Sequence, residues 1–371
     1  WYRPNPPLET VMWSLRNNTN YMQSGVLASL KYTADNAHQF VENFWLKSSR
    51  AVEKGRTEAP YAWVIPHESQ QDRPVGTTFM VNLLMDMGLE VHQSESALSE
   101  GDLEAVAGSY IVRLDQPYRT LAQVMMDRQN FPEGANAPYD DTGWTLPLSH
   151  RVDAVRVDSS WILDADMTLL EAHVAPATSG AGRGKWLVLN NTTDDNFALF
   201  RYRLSGTQME AAESEFEAGE DTFHAGSLIF ERSDSALETA SELGLQVQAF
   251  RSKPDVATHN ADPARVGLIH TWTSRPQDAG WWRFAFDEVG IPYTYLSEQD
   301  LATTDLSQFD VLILPRTRSD FKTLVHGNSM VGEPTPWEPS EEYPHIGHID
   351  QTDDTRRGMG YAGVTRLQAF V

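Results

Sequence analysis

From Asn18 to Trp45 the apolar residues Leu27, Leu30, Ala34, Ala37, Val41 and Phe44 recur at intervals of three and four. That spacing keeps side chains on one face of a helix. A single long helix over 18–45 is therefore predicted, with Asn18 as its N-cap and a polar linker, "SSRAVEKGRTEAP", after Lys47. The pattern then changes. "YAWVIP" (61–66) is a short apolar run closed by Pro66 and predicts a buried strand, and "VGTTFMVNLLMDMG" predicts a helix closed by Gly88. "LEVHQS" alternates as a second strand, "AVAGSYIVRL" (105–114) is a third, and "PYRTLAQVMMD" places Pro117 in the first turn of a helix.

The same order recurs downstream. "KWLVLN" (185–190) matches "AWVIPH", a helix-compatible stretch spans 195–204, and "DTFHAGSLIFER" (221–232) matches "EAVAGSYIVRLD" through a shared Ala-Gly-Ser before an apolar run. "SALETASELG" supplies the closing helix. This predicts an internal α/β repeat, 61–127 and 185–245, within an accessory region 60–252. Between the halves, 132–160 is rich in Pro, Gly and Asp and is expected to pack as an extended strap. After the loop "SKPDVATHNADP", the runs "RVGLIHTW", "IPYTYLS" and "FDVLILP" predict strands, with "GWWRFAFDEVG" as a helix. Such apolar strands argue for a parallel, doubly wound sheet over 265–371, carrying a long acidic, Pro-rich insertion at 316–357. The fold class expected is thus α/β, a duplicated region followed by part of a flavodoxin-like domain. The last helix, "GVTRLQAFV", should feed a further strand.

The 371 residues are 40% hydrophobic, enough for several cores. No apolar run approaches the roughly 20 residues of a membrane helix, and "WYRPNPPLET" has no charged region followed by an apolar one, so no secretion signal is visible. The chain does not begin with Met and stops in an uncapped helix, so both ends are expected to be cut. Zero cysteines exclude disulfides, cysteine zinc sites and a thiol nucleophile. The formal charge of −23 argues against nucleic acid, whose phosphates demand a basic face. Residues 1–59 hold 7 Lys/Arg against 5 Asp/Glu, whereas the remainder holds 22 against 47. The first segment thus has a different surface character from the rest, as if it belonged to another body.

Candidate chemistry is sparse. His92-x-x-Glu95 has a zinc-ligand spacing, and an open tetrahedral site would need both side chains aimed at one point together with a third ligand. His92, however, falls at a strand end, and the later His150 and His173 have no supporting context. "PHIGHID" offers His345, His348 and Asp350, a denser set that suits a divalent ion but lies in the irregular insertion. "GAGRGK" (180–185) is one residue short of a phosphate loop and precedes a strand instead of following one. "GNSMVG" (327–332) lacks the glycine spacing of a nucleophile elbow. Trp281 and Trp282 could stack on sugars, but aromatic core packing is the usual explanation and carbohydrate binding a minor alternative.

"WSLRNNTNYMQSGVLASLKY", "VENFWLKSSRAVEKG", "AWVIPHESQQDRP", "GSYIVRLDQPYRTLAQVMMD" and "PYDDTGWTLPL" resemble the region that follows the catalytic domain of large bacterial zinc carboxypeptidase-like proteins. Residues 265–371 resemble the start of a glutamine-amidotransferase-like domain. The resemblance implies that 1–59 is the closing helix of a catalytic domain plus a linker, with that domain docking on helix 18–45. It also implies a secreted or periplasmic parent that hydrolyses peptides, with its zinc ligands, substrate arginine and general base all before Trp1. No cofactor and no catalytic residue is then expected in this chain, and His92 with Glu95 is a coincidence of spacing. The alternative expectation is a peptide- or glycan-binding module with a cleft between the repeat halves.

Overall fold

Ser14 starts the first helix. The Asn17 side-chain oxygen accepts the Ser14 N–H at 3.1 Å and its hydroxyl at 2.9 Å, which satisfies a donor that the helix start leaves open. Helix α1 runs over Leu15–Asp35, Asn36 departs from helical geometry for one residue, and α2 follows over Ala37–Thr57. The Asn36 amide donates to the Tyr32 carbonyl at 2.8 Å, a local side-chain bond that competes with the helix ladder. One helix over 18–45 followed by a linker is therefore corrected to two helices meeting at Asn36. The supposed linker is the last part of α2, because Ala51, Glu53, Lys54 and Arg56 are good helix formers and Lys54 pairs with Glu58 at 3.4 Å.

The computed structural model describes residues 12–130, 132–136, 143–176, 182–272, 277–317, 319–342 and 351–371. They divide into two compact units, one comprising the chain up to Gln71 with Met80–His173, the other Asp72–Phe79 with Val174–Val371.

After α2 come β1 (Ala62–Ile65), α3 (Pro74–Asp86), β2 (Val91–Ser94), a hairpin of β3 (Leu98–Glu100) and β4 (Leu103–Ala105), and β5 (Tyr110–Arg113). They are followed by α4 (Arg119–Met126), α5 (Leu146–His150), β6 (Val155–Val157) and β7 (Met167–Leu169). The sheet has the order β6-β1-β5-β2-β7 and every neighbour is antiparallel. Strands β1 and β2 flank β5, so the helix connection between them straddles a strand, the split βαβ arrangement. The segment expected as a strap thus contributes α5 and an edge strand, β6.

The second unit repeats this order with β8 (Trp186–Leu189), α6 (Asp195–Arg203), β9 (Met209–Ala212), the hairpin β10 (Phe216–Ala218) and β11 (Asp221–Phe223), and β12 (Leu228–Glu231). It closes with α7 (Asp234–Glu242), β13 (Val247–Phe250) and β14 (Thr258–Asn260). The sheet order is β13-β8-β12-β9-β14, again antiparallel throughout.

The two Ala-Gly-Ser motifs sit at the same turn. Gly108 and Gly226 adopt φ of 90° and 85°, a region that favours glycine. The Ser109 hydroxyl donates to Val106 at 2.7 Å and accepts the His67 N–H at 2.9 Å. Ser227 donates to His224 at 2.7 Å and accepts the Asn191 N–H at 3.1 Å. Aligned on these turns, Ile65 and Leu189 are equivalent, each paired with the first residue of its central strand. Trp186 then falls level with Ala62, not with Trp63 as the matching of "KWLVLN" to "AWVIPH" implies. A one-residue shift reverses the face. Trp186 packs beside Val188, Phe223 and Ile229 under its hairpin, whereas Trp63 alternates with Ala62 and Val64, which pack under theirs.

On the other face of the second sheet, Leu187, Leu189, Met209, Leu228 and Phe230 pack with Phe200 of α6 and with Ala236 and Ala240 of α7. The same unit holds β15 (Val266–His270), α8 (Gln277–Val289), β16 (Tyr293–Ser297), β17 (Val311–Ile313), α9 (Phe321–His326) and α10 (Gly360–Phe370). These three strands are parallel, in the order β16-β15-β17. Ile269 and Leu296 share a core with Met359, against which Val364 and Leu367 of α10 pack. Within 316–357 the buried Asp354 accepts from Arg356 at 2.6 Å, and Arg356 holds its carboxyl far below the usual range. The architecture is therefore mixed α/β, with antiparallel sheets in both repeats and one three-stranded parallel sheet.

One buried polar group separates the repeats. Tyr110 donates to Glu68, whose other oxygen lies 3.0 Å from Nε2 of His67. Burial, with Glu68 beside it, pushes the Tyr110 phenol up. Register places Leu228 at the Tyr110 position and Thr192 at the Glu68 position. Tyr110→Phe removes a donor from a buried carboxylate and is expected to cost about 1–3 kcal/mol in urea unfolding. The double variant Glu68→Thr/Tyr110→Leu, which copies the second repeat, should cost less than the sum of its two single variants.

Candidate functional site

His92 lies in β2, paired with Ile111 on one side and Leu169 on the other. Its ring is half-buried, and its Nδ1 is enclosed without a hydrogen-bond partner. Burial lowers its pKa, the positive charge of Arg113 lowers it further, and Asp115 opposes both. Glu95, three residues along an extended chain, projects to the opposite side. There it accepts the Thr168 hydroxyl at 2.7 Å. The HxxE spacing that would align two ligands on a helix separates them here. His173 reaches Asp86 at 2.8 Å. His345, His348 and Asp350 lie outside the described residues. Among the described residues no three His, Asp or Glu side chains gather as metal ligands.

Groups that the sequence reading passed over stand at the carboxyl ends of the parallel strands. Glu298, buried just beyond β16, accepts the Trp272 N–H with both oxygens at 2.7 and 2.9 Å. His270 ends β15, with its ring 5.0 Å from that of Trp272 and 5.7 Å from that of Tyr295. Burial raises the Tyr295 phenol, and the Arg283 guanidinium, 4.7 Å from its ring, opposes the rise. A polar residue directly after a fully apolar strand was the available signal, since ligands of parallel sheets collect at such ends.

The largest departure from ordinary surface chemistry is in α1 and α2. At about 1.5 Å per residue each of these 21-residue helices is roughly 32 Å long. No residue of α1 is buried, and in α2 only Gly55 is. Gly55 lies against the backbone of Leu114 and Asp115, where a Cβ would overlap the Leu114 carbonyl. The apolar stripe therefore lies open: Leu27 is 65% exposed, Leu30 61%, Val41 68% and Phe44 64%. Tyr32 and Phe40 meet edge-on across the Asn36 break, with ring centroids 6.1 Å apart. Scattered exposed apolar residues need no explanation, but a continuous stripe of this kind marks a surface made to be covered. No described helix is long and apolar enough to cross a membrane.

The chain matches no protein-family model, no curated protein and no solved structure.

The lowered pKa of His92 carries a sign. A histidine held neutral in the folded state contributes stability above the usual 6.5, and that stability is lost as the pH falls. In proton–carbon NMR spectra the His92 Cε1 resonance is expected to titrate below 6.5, and His92→Gln should flatten the acid side of the stability profile. Adding zinc should leave the His92 resonance in place.

Proposed function

We propose that this chain is a non-catalytic accessory region of a secreted or periplasmic zinc carboxypeptidase-like protein, and that the face of α1 and α2 is where the peptidase domain docks. The observation that carries the proposal is the open stripe of Leu27, Leu30, Val41 and Phe44. It lies on a segment whose charge is near balance while the rest of the chain is strongly acidic. A domain packing along this stripe would bury it at about 25 cal/mol per Å² of apolar surface. Metal-dependent peptide hydrolysis would then belong to the docked domain, with its zinc and its peptide substrate, while this region restricts access or holds a partner.

The resemblance of 265–371 to a glutamine-amidotransferase-like domain has its own support. In β16-β15-β17 the chain moves from the first strand to one side and then to the other, as in doubly wound, flavodoxin-like sheets. Helix α8 follows β15, and α10 packs against the side chains of Ile269 and Leu296. We infer that this sheet is part of such a domain.

Two measurements test the docking proposal. The purified chain is expected to bind no stoichiometric zinc and to release no C-terminal residues from peptides; stoichiometric zinc with carboxypeptidase activity would overturn it. Leu27→Glu/Phe44→Glu changes only exposed positions, so its melting temperature should stay within about one degree. Its affinity for the separately expressed peptidase domain should fall at least tenfold, and an unchanged affinity counts against the proposal.

A further inference from the structure

The two repeats differ in how they cover one end of the hairpin-side sheet face. In the first, the nine residues 158–166 between β6 and β7 include a short 3-10 turn at Ser160–Asp164. From it Ile162, fully buried, packs onto Ala62, Val64 and Ile111. In the second, the connection between β13 and β14 is the seven residues 251–257, without a helical turn. From that connection Val256, only partly buried, packs against the core in place of the fully buried Ile162. The larger Trp186 stands where the first repeat has Ala62 and packs against the same core. What lies open is polar. Two lobes, of about 470 and 380 Å³, meet along Thr207, Gln208 and Glu210. Thr258 and Asn260 line one lobe, and Trp186 with Glu231 lines the other.

Three carboxylates along this groove are ion-paired, and Arg232 on the Trp186 lobe donates to the Gly182 carbonyl at 3.0 Å. Lys253 holds Glu210 at 2.5 Å, Lys185 holds Glu231 at 2.9 Å, and Arg201 lies 3.6 Å from Asp262. A cationic ligand would have to break one of these pairs to reach Glu210, Glu231 or Asp262. Trp186 and Val256 both pack against the hairpin-side core, so the apolar surface next to the groove is largely the indole's. What the surface offers is an aromatic ring beside amide, hydroxyl and paired carboxylate groups, aromatic body and polar groups converging on one concave site. The Lys185 and Lys253 ammonium groups lie 5.5 and 5.8 Å from the Trp186 ring while held in their ion pairs with Glu231 and Glu210.

We propose that the groove over Trp186 in the second repeat binds an uncharged saccharide chain, its sugar rings against the indole and its hydroxyls on Gln208, Glu210, Thr258 and Asn260. The groove shares no residue with the face of α1 and α2, so the failure of either proposal leaves the other intact.

Calorimetric titration of the full chain with cellohexaose, maltohexaose, mannohexaose and chitohexaose tests it, with polygalacturonate as the charged comparison. At least one neutral hexasaccharide is expected to bind, and Gln208→Ala and Asn260→Ala should each weaken it tenfold or more with the melting temperature unchanged. Trp186→Phe, which keeps an aromatic ring in the core, should weaken it less than Trp186→Leu. Absence of binding by all four neutral sugars at millimolar concentration would overturn the proposal. So would binding of the charged polymer alone, or affinity untouched by both alanine variants. Displacement of the bound sugar by an unstructured peptide at equal affinity would assign the groove to peptides and overturn it as well.

Discussion

In each repeat a serine hydroxyl at the entry to the central strand sets the register. Ser109 and Ser227 tie the turn preceding β5 and β12 to the chain just past β1 and β8, and each turn needs a glycine at positive φ. Because the central strand is flanked on both edges, its register fixes which side chains face the helices and which face the hairpin. A slip of one residue would exchange the two sets and place Glu231 where an apolar residue is required. Two hydroxyls therefore govern far more packing energy than their own hydrogen bonds supply.

With the scaffold held, the repeats have diverged where the register permits. The first places a buried carboxylate and phenol at the end of its central strand, and the second places Thr192 and Leu228 there. The first covers one end of its sheet with Ile162 on Ala62, whereas the second has Trp186 at the Ala62 position and Val256 from its connection against the same core. His92 and Glu210 occupy the same place in the two sheets, one opposite Ile111 and the other opposite Ile229. One is half-buried beside Arg113, and the other lines a groove and is held by Lys253. Equivalent backbone positions thus carry unrelated side-chain chemistry, as expected of a duplicated framework whose turns are constrained and whose faces are not.

The remaining elements answer to different constraints. α1 and α2 draw their helicity from local propensity and side-chain pairs and from almost no burial. Their apolar stripe, Leu27, Leu30, Val41 and Phe44, stays exposed among the described residues. In the parallel sheet the reverse holds, because β15 is buried along its whole length and depends on coverage by helices on its faces. Glu298 is tolerated there because both of its oxygens accept a backbone N–H.

Periodicity made the central strands legible, the runs at 61–66, 105–114, 185–190 and 221–232 and the apolar strands after Arg265, and most of the helices, but it joined α1 to part of α2 and passed over α5 and α9. It could not reveal β3, β4, β6, β7, β10, β11 or β14, each three residues long, since so short a stretch carries too little alternation to separate from a loop. The Ala-Gly-Ser motif disclosed the repeat, yet aligning Trp63 with Trp186 was off by one residue, because tryptophan identity says nothing about which face a strand presents. His92 and Glu95 show the same limit. Spacing along the chain suggested convergence, and extended geometry sends them apart. What the sequence determined by itself was local: helix, turn and apolar run, each set by neighbouring residues. Face, register and the opening of a groove were decided only when distant strands paired, because those properties belong to contacts between residues far apart in the chain.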